Sequence, residues 1–355
     1  MNKSKNLVIE LYRFLFTCII YIYHFRTYSE IQKMKGNFSG GYLGVEFFFL
    51  ISGFYLMKSI TKKRNQEKKG FINDGIAFLK KRIQRLYPEY IVSICLLIIV
   101  SFIGSRGDFT VFYLIKDGFP DLICVQAFFV NKKINSLLWF VSVLIWGSLL
   151  IKIVLSLISV RNYLIVANFF SFVFFIYAFL EIGFLDLTQN KYFYLDGFLR
   201  GFSELIIGCT IYCIVQYLND RKICVSLIVV NIISISCFSF SAFLMFFRGD
   251  DRIDFVILFL LMIIVFIEGN REIKIDDRSI RNKVIGVLGS VSYGMYLNQV
   301  LIQKVVHSVF PGYRFRIVIF ISLILLLIVS AVLHFGISKG INLIKTKNRY
   351  SYRGG

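Results

Sequence analysis

Long apolar runs that recur from one end of the chain to the other constrain its fold more than any other feature. At 1.5 Å per residue, each run is long enough to cross the roughly 30 Å hydrocarbon core of a bilayer. The runs predict an all-α, polytopic membrane protein with about ten transmembrane helices. They lie at 7–25, 41–59, 86–104, 136–158, 162–184, 197–217, 223–246, 252–268, 284–306 and 316–338.

The composition fits one membrane-embedded domain over residues 1–355. Hydrophobic residues make up 57% of the chain and charged residues only 17%, which is too apolar for an ordinary soluble domain. No segment between the runs is large enough to fold alone, so we expect no appended soluble domain. The segment 109–130 is apolar but is interrupted by charged residues, glycine and proline, and we interpret it as interfacial or re-entrant.

The net charge of +20 resides mainly between the apolar runs. A nucleic-acid partner would require a basic face on a water-soluble surface, which this pattern does not predict. Lysines and arginines concentrate in alternate loops, and the loop at 58–85 alone holds ten of them. Because cytoplasmic loops carry the excess of basic residues, both termini are predicted to be cytoplasmic.

The seven cysteines fall in or beside apolar segments. They form neither a CxxC pair nor a cysteine and histidine cluster with zinc spacing. The chain also lacks a Gly-rich phosphate loop. We therefore predict no metal site and no permanently bound cofactor.

Arg13 and His24 are ionisable residues inside the first run. An arginine at the centre of a membrane helix costs about 2.5–3.5 kcal/mol, so each such group needs an explanation. Eleven residues are close to three helical turns, so both side chains project from one face, roughly 16 Å apart along the axis. This face could serve a charged donor and a deeper proton transfer, but Arg13 could equally reach the headgroups and His24 could be interfacial.

A second basic pair, Arg82 and Arg85, precedes the third run and lies on one face if this segment is helical. Guanidinium pairs bind phosphates well, which makes the pair a candidate site for a phosphate-bearing donor. The alternative is that both arginines anchor the helix at the cytoplasmic surface.

Glu46, in the second run, needs a partner in its apolar surroundings, and glycines beside it permit close approach of a helix or ligand. It is either functional or paired with Arg13 or Arg200 to hold helices together. Arg200 and Glu204 are interpreted as a structural pair. His307 and His334 lie near helix ends without evident polar neighbours, and we expect both to be interfacial.

Four landmarks together resemble the integral membrane acyltransferase family three, whose members O-acylate surface polysaccharides and other envelope or secreted molecules. In chain order, the first is the arginine and histidine pair of the first run. The others are GGYLGVEFFFLISGF at 40–54, RIQRLYPEY at 82–90 and GSVSYGMYLNQVLI at 289–302. The resemblance covers nearly the whole chain and implies ten core spans.

This resemblance implies an O-acetyltransferase of a bacterial cytoplasmic membrane. An acyl group, acetyl by default, would move from acyl-CoA to a hydroxyl of a cell-surface or exopolysaccharide sugar, or of its lipid-linked precursor. Arg13, Arg82 and Arg85 would bind the donor from the cytoplasm. His24, oriented by a carboxylate such as Glu46, would remove the proton from the acceptor hydroxyl.

The chain departs from the family pattern in three places. It has Glu46 where many members have aspartate, and Asn298 and Gln299 where many have tryptophan and histidine. The stretch NSLLWFVSVLIW at 135–146 lacks the glutamates that many members carry there. A different class of function, a transporter or flippase for a lipid-linked sugar, stays open because polytopic carriers also hold intramembrane charges. A purely structural scaffold is the third reading.

Overall fold

The computed structural model describes residues 6–28, 38–63, 71–104, 118–128, 134–186, 195–222, 226–248, 250–269, 271, 279–310 and 315–351. The regular structure in these ranges is helical. We number the long helices α1 (Leu7–Tyr28), α2 (Gly44–Lys63), α3 (Phe71–Gly104), α4 (Ser136–Leu157), α5 (Val160–Ile182), α6 (Asp196–Asp220), α7 (Leu227–Phe246), α8 (Ile253–Glu268), α9 (Ile280–Val309) and α10 (Phe315–Ser351).

The predicted all-α, polytopic architecture is confirmed. Among the described residues, nine of these helices are long and apolar enough to cross a membrane. The exception, α8, has 16 residues, which is about 24 Å of helix. It corresponds to the apolar run at 252–268. Which ends face the cytoplasm stays a prediction from the charge distribution.

The predicted loop over 58–85 is wrong in its second half, because α3 already begins at Phe71. Its 34 residues span about 51 Å, which exceeds the thickness of a bilayer core. The basic first half contains two lysines, two arginines and two leucines, which favour helix even outside the membrane. Arg82 and Arg85 therefore lie on a continuous helix.

Helix α2 occupies the centre of the protein, and its side chains are mostly buried, including those of Phe47, Phe49 and Phe54. It packs most extensively against α6. A Cβ atom added to Gly53 of α2 would overlap the carbonyl oxygen of Leu205, and one added to Gly208 of α6 would overlap that of Leu50. These reciprocal contacts confirm that glycine permits close helix approach here, as small residues commonly do in membranes.

Part of the predicted interfacial segment lies inside the protein. In residues 118–128, the backbone carbonyl of Cys124 accepts a hydrogen bond from Trp146 Nε1 at 2.8 Å, and Gln126 accepts one from Ser142 at 2.7 Å. Irregular backbone at membrane depth is tolerated where protein satisfies it. The rest of the segment, 109–117 and 129–130, lies outside the described residues.

Candidate active site

The basic pair on α3 is held against α4. Arg82 Nε donates to the backbone carbonyl of Leu144 at 3.0 Å, and the guanidinium lies 5.8 Å from the ring centre of Phe78. Leu144 belongs to a π-helical turn, Val143–Gly147. Such turns disturb the regular backbone ladder and are frequent at functional sites. Within the described part of the chain, both terminal nitrogens of Arg82 have no hydrogen-bond partner, so they are available to a ligand.

Arg85 lies one turn further along α3 and is exposed. It is within electrostatic range of Arg82 and also of Arg13 on α1. Arg13 in turn binds Glu10 through its NH1 nitrogen at 3.2 Å. The structure thus brings together the three arginines that the sequence assigns to the donor. We call Arg13, Arg82 and Arg85 the arginine cluster.

Helix α9 packs against both α1 and α3. A Cβ atom added to Gly289 would overlap the side chain of Glu10, so α1 and α9 are in close contact at the level of this carboxylate. On the other side, the hydroxyl of Tyr293 donates to the carbonyl of Leu86 at 3.1 Å. The late GSVSYGMY landmark therefore joins the helices that carry the arginine cluster.

His24 lies three turns from Arg13 toward the other end of α1, and it is half-buried. Its ring packs edge-on against Tyr23, with the ring centres 5.0 Å apart. Tyr23 also contacts Tyr42, with the ring centres at 5.5 Å. Among the described residues, His24 has no hydrogen-bond partner. No described residue therefore competes with a substrate hydroxyl for its imidazole nitrogens.

Glu46 is fully buried and binds Arg200 rather than His24. Arg200 Nε donates to Glu46 Oε1 at 2.9 Å, and the same nitrogen lies 3.7 Å from Glu204 Oε1. This geometry matches the structural alternative for Glu46. The expected carboxylate and imidazole pair between Glu46 and His24 is not formed in the described part of the structure.

A series of ion-pair and aromatic contacts links Glu46 to the surroundings of His24. The guanidinium of Arg200 lies 5.5 Å from the ring centre of Tyr42 and 5.6 Å from that of Trp139. Tyr42 then contacts Tyr23, the neighbour of His24. These contacts connect the Glu46 and Arg200 pair to the aromatic residues beside the imidazole.

Arg248 and Asp254 are a polar pair that the sequence reasoning missed. Asp254 is buried, accepts hydrogen bonds from the hydroxyl of Tyr42 and from the amide of Leu185, and binds Arg248 Nε at 2.8 Å. Arg248 also lies 5.4 Å from the ring centre of Tyr42. The sequence feature that could have indicated this pair is the aspartate at the start of an apolar run, because a buried charge there needs a partner.

The expectation that His334 lacks polar neighbours is wrong. Its Nδ1 lies 2.6 Å from Oε1 of Glu89, which joins α10 to α3. Glu89 stands one turn beyond Arg85, but 245 residues separate it from His334 in the chain. Only the packing of α3, α9 and α10 brings the two together.

Comparison with known proteins identifies the class of protein to which this architecture belongs. The model of an acyltransferase domain, that of acyltransferase family three, matches residues 6–335. The chain belongs to this acyltransferase family. It is a multi-pass membrane acyltransferase, and the match includes all four landmark segments.

A relative of the acyltransferase is found in Acidianus two-tailed virus, where it is named "Putative acetyltransferase ORF330". The two sequences are 21% identical over 274 residues, which cover 75% of this chain and 74% of the viral protein. No solved structure matches the acyltransferase.

Proposed function

We propose that this acyltransferase moves an acetyl group from acetyl-CoA to a hydroxyl of a cell-surface polysaccharide sugar or of its lipid-linked precursor, in a bacterial cytoplasmic membrane. The observation that carries the proposal is the arginine cluster, in which three guanidinium groups come together and the terminal nitrogens of Arg82 have no hydrogen-bond partner among the described residues. Membership of the acyltransferase family and the similarity to a protein named as an acetyltransferase support the reaction class.

The arginine cluster suits the phosphate groups of coenzyme A. Phosphates favour guanidinium groups, which offer several donors in a fixed plane. Arg82 is already oriented by Leu144 and Phe78, so its two open nitrogens lose little conformational freedom on binding. The predicted cytoplasmic position of this end agrees with a donor made in the cytoplasm.

His24 is the proposed general base. It would accept the proton of the acceptor hydroxyl while the hydroxyl oxygen attacks the thioester carbonyl of acetyl-CoA. The new carbon–oxygen bond forms, the carbon–sulfur bond breaks, and the coenzyme A thiolate takes up the proton from the imidazole. The roughly 16 Å between Arg13 and His24 would be bridged by the extended arm of the donor.

Glu46 acts in this scheme as a positioning residue. Its carboxylate binds Arg200, whose guanidinium lies against the ring of Tyr42. Tyr42 contacts Tyr23, and Tyr23 packs against the imidazole. A charge-neutral change at Glu46 should therefore alter activity through the placement of His24. The donor, by contrast, should bind such a variant normally.

Release of free coenzyme A thiol by the purified protein in lipid nanodiscs tests the donor half of the proposal. With acetyl-CoA and an extract of lipid-linked sugars, the wild type should release thiol, and His24→Ala should lose the release at unchanged acetyl-CoA binding. His307→Ala, a change of the same type outside the site, is the matched control. A wild type that binds no acetyl-CoA would contradict the proposal and favour the alternative function, a transporter or flippase for a lipid-linked sugar.

A further inference from the structure

Glu46, Arg200 and Glu204 form a buried cluster in which acidic side chains outnumber basic ones. All three side chains are at most 1% exposed. Two carboxylates face a single guanidinium, and Asp186 adds a further negative charge within electrostatic range of Arg200. Arg248, a second arginine that contacts Tyr42, is engaged by Asp254 and Asp251. No second cation therefore balances the pair at close range among the described residues.

Three carboxylate oxygens of this cluster lack partners. Glu46 binds Arg200 through Oε1, whereas its Oε2 and both oxygens of Glu204 are buried without a hydrogen bond in the described structure. Arg200 Nε lies 3.7 Å from Glu204, which is too long for a hydrogen bond. Buried polar atoms normally have hydrogen-bond partners, so the three side chains alone do not account for this cluster.

The two carboxylates lie on two helices that are in close contact. Glu46 and Glu204 belong to α2 and α6, which approach closely at Gly53 and Gly208. The aromatic rings of Tyr42 and Trp139 lie close to the guanidinium of Arg200. An unbalanced negative charge is strongly disfavoured in such surroundings, and two adjacent carboxylates do not both stay ionised there.

We propose that Glu46 and Glu204 hold one proton between them in the folded protein, which makes this cluster a proton-binding site at the α2 and α6 contact. The shared proton reduces the charge of the trio from −1 to zero. It also supplies an O–H donor to one of the carboxylate oxygens that otherwise have no partner. Glu46 keeps its ion pair with Arg200, and Glu204 is the neutral acid.

A sodium ion is the competing occupant, because it would neutralise the same charge and bind the same oxygens. The geometry favours the proton for two reasons. Arg200 already binds Oε1 of Glu46. Of the two aromatic rings near Arg200, Trp139 carries no oxygen and the hydroxyl of Tyr42 is bound to Asp254. Hard cations require several oxygen ligands at once.

Infrared spectroscopy of the full chain in nanodiscs tests the proposal, because a protonated carboxyl absorbs apart from a carboxylate and shifts in heavy water. At pH 7, the wild type should show one such band. Either Glu204→Gln or Glu46→Gln should remove it, since the remaining glutamate would then ionise beside Arg200. Glu268→Gln is the matched control, because Glu268 is equally buried but is paired with Arg271 at 3.3 Å.

Two results would overturn the proposal. The first is the absence of the protonated band from the wild type, with thermal stability that rises in sodium chloride relative to choline chloride, which would assign a cation. The second is a band that persists in Glu204→Gln. That variant is isosteric and leaves the Arg200 and Glu46 pair intact, so it carries the test even if Glu46→Gln does not fold. The reading is independent of which acyl group or acceptor the enzyme uses.

Discussion

Arg82 and Leu144 are joined by a hydrogen bond of 3.0 Å from the guanidinium Nε to a carbonyl in the π-helical turn of α4. This bond fixes the plane of the guanidinium and leaves its outer nitrogens open. A lysine at position 82 would keep the charge but lose both the plane and the bond. Arg82→Lys should therefore raise the KM for acetyl-CoA by about 10-fold or more, with little change in kcat.

Arg85→Lys is the matched comparison, because Arg85 has no hydrogen bond that orients its guanidinium among the described residues. It should raise the KM by only about threefold, as expected for loss of part of a phosphate contact. Steady-state kinetics in nanodiscs, with binding of acetyl-CoA measured separately, distinguishes the two. Equal effects of both substitutions would mean that the bond to Leu144 does not orient the donor site.

The reciprocal glycine contacts predict where the helix bundle is least tolerant of a methyl group. Gly53→Ala or Gly208→Ala should force α2 and α6 apart, because the added Cβ meets backbone rather than a movable side chain. We expect a loss of about 1–3 kcal/mol for either change. Gly336→Ala, in α10, meets nothing within 4 Å and serves as the control.

The measurement for these glycine variants is the temperature at which half of the monomeric protein is lost in detergent, read by size-exclusion chromatography. Gly336→Ala should be neutral or slightly stabilising, since alanine favours helix over glycine. If Gly53→Ala were as stable as the wild type, the close approach of α2 and α6 would be refuted.

The pair of Glu89 and His334 predicts an energetic coupling between α3 and α10. Removal of one partner leaves the other polar group unsatisfied in the membrane. His334→Ala and Glu89→Ala should each lower stability by about 1–3 kcal/mol. The double variant should lose clearly less than the sum of the two. Additive losses would show that the 2.6 Å contact contributes nothing.

The shared proton also predicts how stability depends on pH. Above about pH 4.3, where a glutamate in the unfolded chain is ionised, the folded protein would bind one proton more than the unfolded chain. Stability should therefore fall as pH rises, by up to about 1.4 kcal/mol per pH unit. Thermal unfolding from pH 5 to 8 should show this slope in the wild type but a flatter profile in Glu204→Gln. Identical profiles would contradict the shared proton.

Much of the architecture could be predicted from local patterns. Apolar runs indicated the positions of the helices to within a few residues, except at the start of α3 and the end of α10, where charged sequence concealed continued helix. Arg82 and Arg85 could be selected from the sequence because they lie one turn apart in one landmark segment. Arg13 could be selected because it forms the first landmark together with His24. Glycines in α2 indicated close packing.

The remaining contacts depend on packing between distant segments. Arg200 lies 154 residues from Glu46, and no periodicity indicates which of several arginines would reach that carboxylate. Composition does not indicate the π-helical turn that contains Leu144. The bond between His334 and Glu89 likewise requires α9 to place α3 beside α10.

Proton NMR of the host's surface polysaccharide tests the central claim most directly, in strains that carry the wild type, His24→Ala, His307→Ala or no protein, at equal membrane expression. The account predicts O-acetyl signals with the wild type and His307→Ala, and their loss with His24→Ala and without the protein. Identical acetylation in all four strains would contradict the proposed transfer to this polysaccharide, and signals that persist with His24→Ala would remove His24 from the mechanism.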